Sequence, residues 1–237
     1  IGVQSMVPEV LRTLGREHQP DNVRRAADAA HGAGLPFNVD LLYGASGETL
    51  QQWSTTLDEA IALDPAHVSA YALTVEAGTP LAADPARQPD DDVQADQYVL
   101  ATDRLGAAGY EWYEISNWAR PGHECRHNLL YWTEGEYLAV GCAAHGHRGG
   151  RRHWNVRTPE RYVAAVEAGR SPEAGAEELG ADERRVEGLQ LAIRTRQGVA
   201  GSEVDDQVLA DLDGLVERRD DRVVLTPAGR LLANEVA

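Results

Sequence analysis

The sequence has 237 residues, 43% hydrophobic and 25% charged, which is the size and balance of one large or two small globular domains. Thirty-eight acids face 22 basic residues, all of them arginine; without lysine there is no Schiff-base or P-loop lysine, which excludes pyridoxal-phosphate enzymes and Walker-A ATPases. The formal net charge of −16 argues against a general nucleic-acid binder, and no apolar run reaches the roughly 18–20 residues of a membrane span.

In chain order, residues 1–5 (IGVQS) read as a short apolar strand. Asp21 is a plausible N-cap for a helix carrying Val23, Ala26, Ala27 and Ala30, closed by Gly32 and Gly34. Residues 37–43 (FNVDLLY) form a near-continuous apolar run, as expected of a strand buried on both faces, and their one charge is Asp40. After a turn at 44–47, Leu50, Trp53, Leu57 and Ile61 recur at spacings of 3, 4 and 4, which lines one face of a helix. Residues 67–75 (HVSAYALTV) read as another strand. Pro89 and the acids at 90–92 open a further helix with an apolar stripe of Tyr98, Ala101 and Leu105, negative charge sitting at the positive end of its dipole. This rhythm predicts parallel βαβ units, in a doubly wound sheet or part of a (β/α) barrel. In such folds ligands sit at the C-terminal strand ends, where Asp40 could accept hydrogen bonds from a ribose diol, with Gln4, Thr74 and Arg16 nearby. The plainer reading of Asp40 is a buried acid paired with an arginine.

Residues 110–154 hold four of the five tryptophans, five of the eight histidines and both cysteines, with frequent glycine that predicts irregular backbone. From Arg120 to Arg161 there are seven arginines and four acids, a local positive excess in an acidic chain. Within it, residues 127–132 read HNLLYW. If helical, His127 and Tyr131 share a face, as do Asn128 and Trp132. Imidazole ligates transition metals, aromatic rings offer flat apolar area, and arginines clamp carboxylates, a combination suited to a porphyrin carrying propionates. The plainer alternative is a hydrogen-bonded His/Asn helix cap with core aromatics. Residues 139–147 (AVGCAAHGH) end in His145 and His147, which point the same way on a strand; they could bind metal, or belong to a tight turn with solvated histidines. Cys125 and Cys142, with 16 residues between them, fit no zinc signature and are too few for a disulfide scaffold, so a reducing cytoplasm is expected.

From Thr158 the pattern turns helical. Thr158 and Pro159 mark an N-cap and first turn, Val186, Leu189 and Ile193 a second helix, and Val208, Leu212, Leu215 and Val216 a third. Residues 219–222 (RDDR) interrupt two short apolar stretches, and Thr226-Pro227 opens a last helix with Leu231 and Leu232. Helices, a tight hairpin and another helix predict a winged-helix-like module. From Asn155 onward 11 arginines face 17 acids, which speaks against a phosphate-tracking face. Residues 169–180 look like a linker.

The ordered blocks GVQS (2–5), LGREH (14–18), NVDLLYG (38–44), SAYALTVEAGTP (69–80), YEISNWARPGHECRHNLLYW (113–132) and HWN (153–155) resemble the radical-SAM haem chaperones of the HemW family, close relatives of the oxygen-independent coproporphyrinogen III oxidases. The HNxxYW block favours the chaperones over the oxidases. The resemblance implies an α/β fold: the C-terminal part of a radical-SAM (β/α) barrel over 1–118, a connecting segment over 119–157, and a helical, winged-helix-like domain over 158–237. It implies an S-adenosylmethionine site lined by Gln4, Arg16, Asp40 and Thr74. It places His127, Asn128, Tyr131 and Trp132 in the motif associated with haem. His127 becomes the leading candidate for an iron ligand, in competition with His123, His145 and His147. It further implies haem delivery to respiratory haem proteins in the cytoplasm, without a transmembrane segment, and leaves peripheral membrane association open.

The departures are equally specific. The family's CxxxCxxC loop for a [4Fe–4S] cluster does not occur here, and Cys125 is the motif cysteine of GHECRHN. Ala45-Ser46 stands where relatives have Leu-Pro, and Cys142 and Gly146 also differ from the family pattern. With Ile1 as first residue, the chain is expected to be a C-terminal piece of a longer protein that assembles no cluster and performs no radical chemistry by itself.

Overall fold

The computed structural model describes residues 1–79 and 81–237, and Pro80, the end of the SAYALTVEAGTP block, lies outside the described residues. The chain divides into two compact units, Ile1–Glu124 and Cys125–Ala237.

The first unit is built on a five-stranded sheet in the order β1-β2-β3-β5-β4. Strands β1 (Gly2–Gln4), β2 (Asn38–Tyr43) and β3 (His67–Ala72) run parallel, as the βαβ rhythm predicts. Between them come α1 (Pro8–Thr13), α2 (Pro20–Gly32) and α3 (Leu50–Ala62), and α4 (Asp91–Ala107) follows. Helix α2 starts one residue before the expected cap: Pro20 takes the first position, Gln19 is the N-cap, and Gln19 and Asn22 form a reciprocal capping box. Asp90 caps α4 by accepting from Val93 N at 3.1 Å. Trp53, Leu57, Tyr98, Ala101 and Leu105 meet Val39, Leu41, Val68 and Ala70 in one dry core, so the helices cover a single face of the sheet. Trp53 is fully buried and its indole N–H donates to the Gln97 carbonyl at 2.8 Å, tying α3 to α4. Leu50, expected on that stripe, is exposed at the helix start.

Three expectations change here. β2 is not buried on both faces: Val39, Leu41 and Tyr43 are buried while Asn38, Asp40 and Leu42 are only half-buried, a period-2 pattern that leaves the second face for polar groups. β3 stops at Ala72, three residues before the expected end, which puts Thr74 beyond the strand. Residues 111–119 are not irregular: β4 (Glu111–Glu114) and β5 (Asn117–Ala119) form an antiparallel hairpin that extends the sheet from β3, with Trp112 opposite Trp118.

The second unit begins with α5 (Arg126–Trp132) and contains two three-stranded sheets. The first orders β6 (His145–Arg148), β7 (Arg151–Asn155) and β8 (Glu173–Glu178), all antiparallel, with α6 (Pro159–Glu167) between β7 and β8. The stretch read as a linker is therefore largely β8. Its acids give the reason, since Arg152 pairs with Glu177 directly opposite it across the ladder, and Arg151 reaches Glu173 further along β8. Helix α7 (Ala181–Ala192) follows, and its Glu187 also pairs with Arg152. The second sheet holds β9 (Val199–Ala200), β10 (Val216–Arg219) and β11 (Arg222–Leu225) beside α8 (Asp206–Asp211), α9 (Pro227–Leu231) and α10 (Ala233–Val236). The hairpin around Asp220-Asp221 confirms the winged-helix-like pattern. The third helix is shorter than its apolar spacing suggests: α8 ends at Asp211, the positive-φ Gly214 turns the chain, and Val216 opens β10. Thr226 caps α9 by accepting from Gly229 N at 3.0 Å.

Candidate functional site

Two groups of predicted site residues fall in different units. In the first unit they lie on the polar face of the sheet. Asp40 sits mid-strand on β2, opposite Gly2 on one side and Ser69 on the other, not at the strand end. Its partner is an amide, not the arginine of the plainer reading: Asn38 Nδ2 donates to Asp40 Oδ1 at 2.6 Å. Gln4 ends β1 with a φ of 63°, and its amide nitrogen lies 3.3 Å from where a Cβ on Gly2 would stand, so it folds back over the residue opposite Asp40. Arg16 is exposed in the turn after α1, a turn tethered to β1 by the His18 ring against the Val3 carbonyl at 3.0 Å. Thr74 is exposed past β3 and its hydroxyl turns back to the Ala72 carbonyl. The structure thus places Gln4 and Asp40 together on adjoining strands and leaves Arg16 and Thr74 in loops.

Sequence reasoning missed the groups behind Asp40. His67 is 8% exposed, and its Nδ1 lies 2.6 Å from Asn38 Oδ1 and its Nε2 2.7 Å from the Tyr113 hydroxyl. Ser69 also donates to Asn38 Oδ1, at 3.3 Å. Burial pushes His67 down to about 4, against the opposing pull of Asp40 and Glu124, so the ring is neutral at pH 7. The signal was the alternation of Asn38 and Asp40 with Val39 and Leu41, which marks a half-buried strand.

A second missed group lies at the turn following β2. Glu48, 7% exposed, accepts from Gly44 N at 3.0 Å, Ala45 N at 3.4 Å and Gln97 Nε2 at 3.1 Å, all through Oε2. Its Oε1 and Gln97 Oε1 are both buried without a hydrogen-bond donor among the described residues. Burial outweighs the three donors and pushes the carboxyl up to about 7.

In the second unit HNLLYW is helical, within α5. Cys125 is the N-cap, so His127 and Asn128 lie inside the helix and do not cap it. The predicted shared face is present: the His127 and Tyr131 rings meet edge to face at 5.2 Å, Tyr131 packs on Tyr137 at 4.4 Å, and Tyr137 reaches His147 at 6.1 Å. His127 is exposed and makes no hydrogen bond among the described residues, whereas His147 Nδ1 is held against the Gly135 carbonyl at 3.0 Å. His145 and His147 do share a strand; His145 lies beside Trp154 at 5.9 Å. Tyr131 is 41% exposed, and Leu138 and Val140, in the segment following Tyr137, are 72% and 79% exposed, apolar area unusual on a water-facing segment. Trp132 is half-buried, its indole N–H covered and without an acceptor among the described residues. Three of the seven arginines of the positive stretch seen in the sequence are engaged by acids: Arg120 by Asp64, Arg151 by Glu173, and Arg152 by Glu177 and Glu187. Arg126 and Arg148 make no ion pair among the described residues and remain able to meet a carboxylate.

The two free cysteines do not fit a [4Fe–4S] cluster. Cys125 is exposed, Cys142 is half-buried, and among the described residues no three His, Cys, Asp or Glu side chains converge to hold a metal. No helix is long and apolar enough to cross a membrane, among the described residues.

No family model matches the chain. Its fold is similar to that of coproporphyrinogen III oxidase from Escherichia coli, described as a radical SAM enzyme, with a TM-score of 0.80 at 21% identity, over 99% of this chain and 62% of that one. The chain therefore has the α/β fold of that protein over the matched region. The haem chaperone HemW of Mycobacterium tuberculosis is 46% identical over 248 residues, across 100% of this chain and 63% of the relative's length. HemW of Bacillus subtilis is 32% identical over 99% of this chain and 67% of its own length, and that of Escherichia coli 46% identical over 62% of this chain. The chain belongs to the HemW haem chaperone family.

Proposed function

We propose that this chain holds haem, as cargo, against the α5 face of its second unit, with the His127 imidazole as iron ligand. The observation that carries the reading is the ring array of exposed His127 and Tyr131 on half-buried Tyr137, beside exposed Leu138 and Val140. Aromatic and aliphatic surface gains from covering a porphyrin face, and an exposed imidazole without a hydrogen bond has a lone pair to offer iron. Trp132 and Asn128 complete the motif on the same helix, and Arg126 and Arg148 are among the arginines without an ion pair that would meet propionates. The relatives' name, haem chaperone, supports the same reading. Transfer to respiratory haem proteins, in the cytoplasm or at a membrane surface, completes it.

The polar sheet face of the first unit is the proposed S-adenosylmethionine site, with Asp40 and Gln4 offering an acceptor and an amide, and Arg16 and Thr74 reaching from loops. When bound, that group would supply a positively charged sulfonium and an adenosyl moiety. Asp40 would accept from ribose hydroxyls and Gln4 would orient them.

The competing reading is a coproporphyrinogen III oxidase, for which the fold similarity alone speaks. Titration with haem and with iron-free coproporphyrin separates the two. A chaperone whose histidine meets iron binds haem with a shifted Soret band and coproporphyrin more weakly. Preference for the iron-free tetracarboxylate would overturn the proposal in favour of the oxidase.

A further inference from the structure

We infer that Asn38, His67 and Tyr113 are positioning residues for Asp40, a one-directional hydrogen-bond relay that fixes which way its carboxylate faces. The inference rests on the reading of the polar sheet face as a ligand site.

The direction of the relay follows from the donors available. Asp40 Oδ1 is 2.6 Å from Asn38 Nδ2, and an ionised carboxylate only accepts, so the Asn38 amide nitrogen must face Asp40. That fixes Asn38 Oδ1 on the opposite side, where it accepts from Ser69 Oγ at 3.3 Å and from His67 Nδ1 at 2.6 Å. His67 therefore carries its proton on Nδ1. The lone pair on Nε2 then accepts from the Tyr113 hydroxyl at 2.7 Å. Every bond points toward Asp40, and reversing one requires reversing the others. The rings of His67 and Tyr113 pack at 5.5 Å, and both residues are buried, so the chain is braced at its far end. The register makes this possible, because Asn38 stands opposite His67 and Asp40 opposite Ser69. Asp40 Oδ2 makes no hydrogen bond among the described residues, which leaves it as the acceptor the relay presents.

A side chain acting through others must show its effect at a distance. The expected result is that wild-type His67 gives the 15N signature of the Nδ1–H tautomer. Asp40→Ala, which touches Asn38 and not His67, frees the amide to turn and gives a mixed Nδ1–H/Nε2–H population. Asp40→Asn, which keeps an acceptor, restores the single tautomer. An unchanged His67 spectrum in Asp40→Ala, or an Nε2–H tautomer in the wild type, would overturn the relay. Binding of S-adenosylmethionine, measured by calorimetry, tests the reading beneath it. Asn38→Ala is expected to weaken binding about tenfold, the worth of one charge-assisted hydrogen bond. It should add little when combined with Asp40→Ala. If the wild type binds no S-adenosylmethionine but the tautomer responds as stated, the site reading fails and the relay stands. If it binds and Asp40→Ala and Asn38→Ala are additive, the positioning role fails.

Discussion

Replacing Glu48 by glutamine isolates one buried proton. The folded carboxyl is raised from 4.5 to about 7, so the folded state keeps its proton longer than the unfolded chain does. A raised pKa contributes stability fully present below 4.5 and lost as pH rises through 7. Between pH 5 and pH 8 this amounts to about 2 to 3 kcal/mol, at about 1.4 kcal/mol for each tenfold change in proton affinity. Glutamine has the same shape and no proton to lose. Its oxygen accepts from Gly44 and Ala45 as Glu48 Oε2 does, and its amide nitrogen takes the place of the orphaned Oε1 and brings a donor to a cluster whose remaining orphaned acceptor is Gln97 Oε1. Glu48→Gln should therefore match the wild type within about 1 kcal/mol at pH 5 and exceed it by about 2 to 3 kcal/mol at pH 8. Urea unfolding at the two pH values measures this, with fully buried Trp53, bonded to the Gln97 carbonyl, as fluorescent reporter. A stability difference that does not change with pH would show that Glu48 is ionised throughout, and the burial argument would be refuted.

His67 works in the opposite direction. With its pKa lowered from 6.5 to about 4, it contributes stability present above 6.5 and lost as pH falls to 4, so His67→Gln should flatten the acid limb of the stability profile by about 3 kcal/mol. Gly198→Ala should destabilise the second unit by at least about 2 kcal/mol, because Gly198 has a φ of 59° and a Cβ there would stand 2.0 Å from the Val223 carbonyl oxygen; a cooperative melt at the wild-type midpoint would contradict the close approach. Arg152→Ala removes partners from both Glu177 and Glu187 and should cost about 1 kcal/mol, less in 1 M salt, in urea titrations at the two ionic strengths; a cost that does not shrink with salt would mean packing, not charge, holds β8.

The parallel β1–β2–β3 order was readable because strands and helices alternate with distinct periods, whereas α5 was only one of the conformations the HNLLYW spacing admits. Strand β8 was not, since Glu173–Glu178 is polar and glycine-containing and becomes a strand only through arginines some twenty residues away. The relay behind Asp40 was equally hidden: His67 and Tyr113 looked like ordinary strand residues until register placed Asn38 opposite His67 and the β4–β5 hairpin carried Tyr113 alongside. Glu48 gave no sign either, because a charged residue beside Gly47 in a turn is ordinarily solvated and here is 7% exposed. Asp40 stood out as an acid in a strand, but residue type does not say which neighbour faces it, and that neighbour is the Asn38 amide.

Whether haem iron meets the second unit at α5 is decided by titrating haem into the wild-type chain and into His127→Ala while recording the Soret band. The wild type should show a saturable shift, His127→Ala a displaced band and weaker binding, and Tyr131→Ala a weaker affinity with the wild-type band position retained, since only apolar contact is lost. Haem bound by His127→Ala with the wild-type band position and affinity would contradict the claim and move the ligand to another side chain, with Cys125 or His145 next in line.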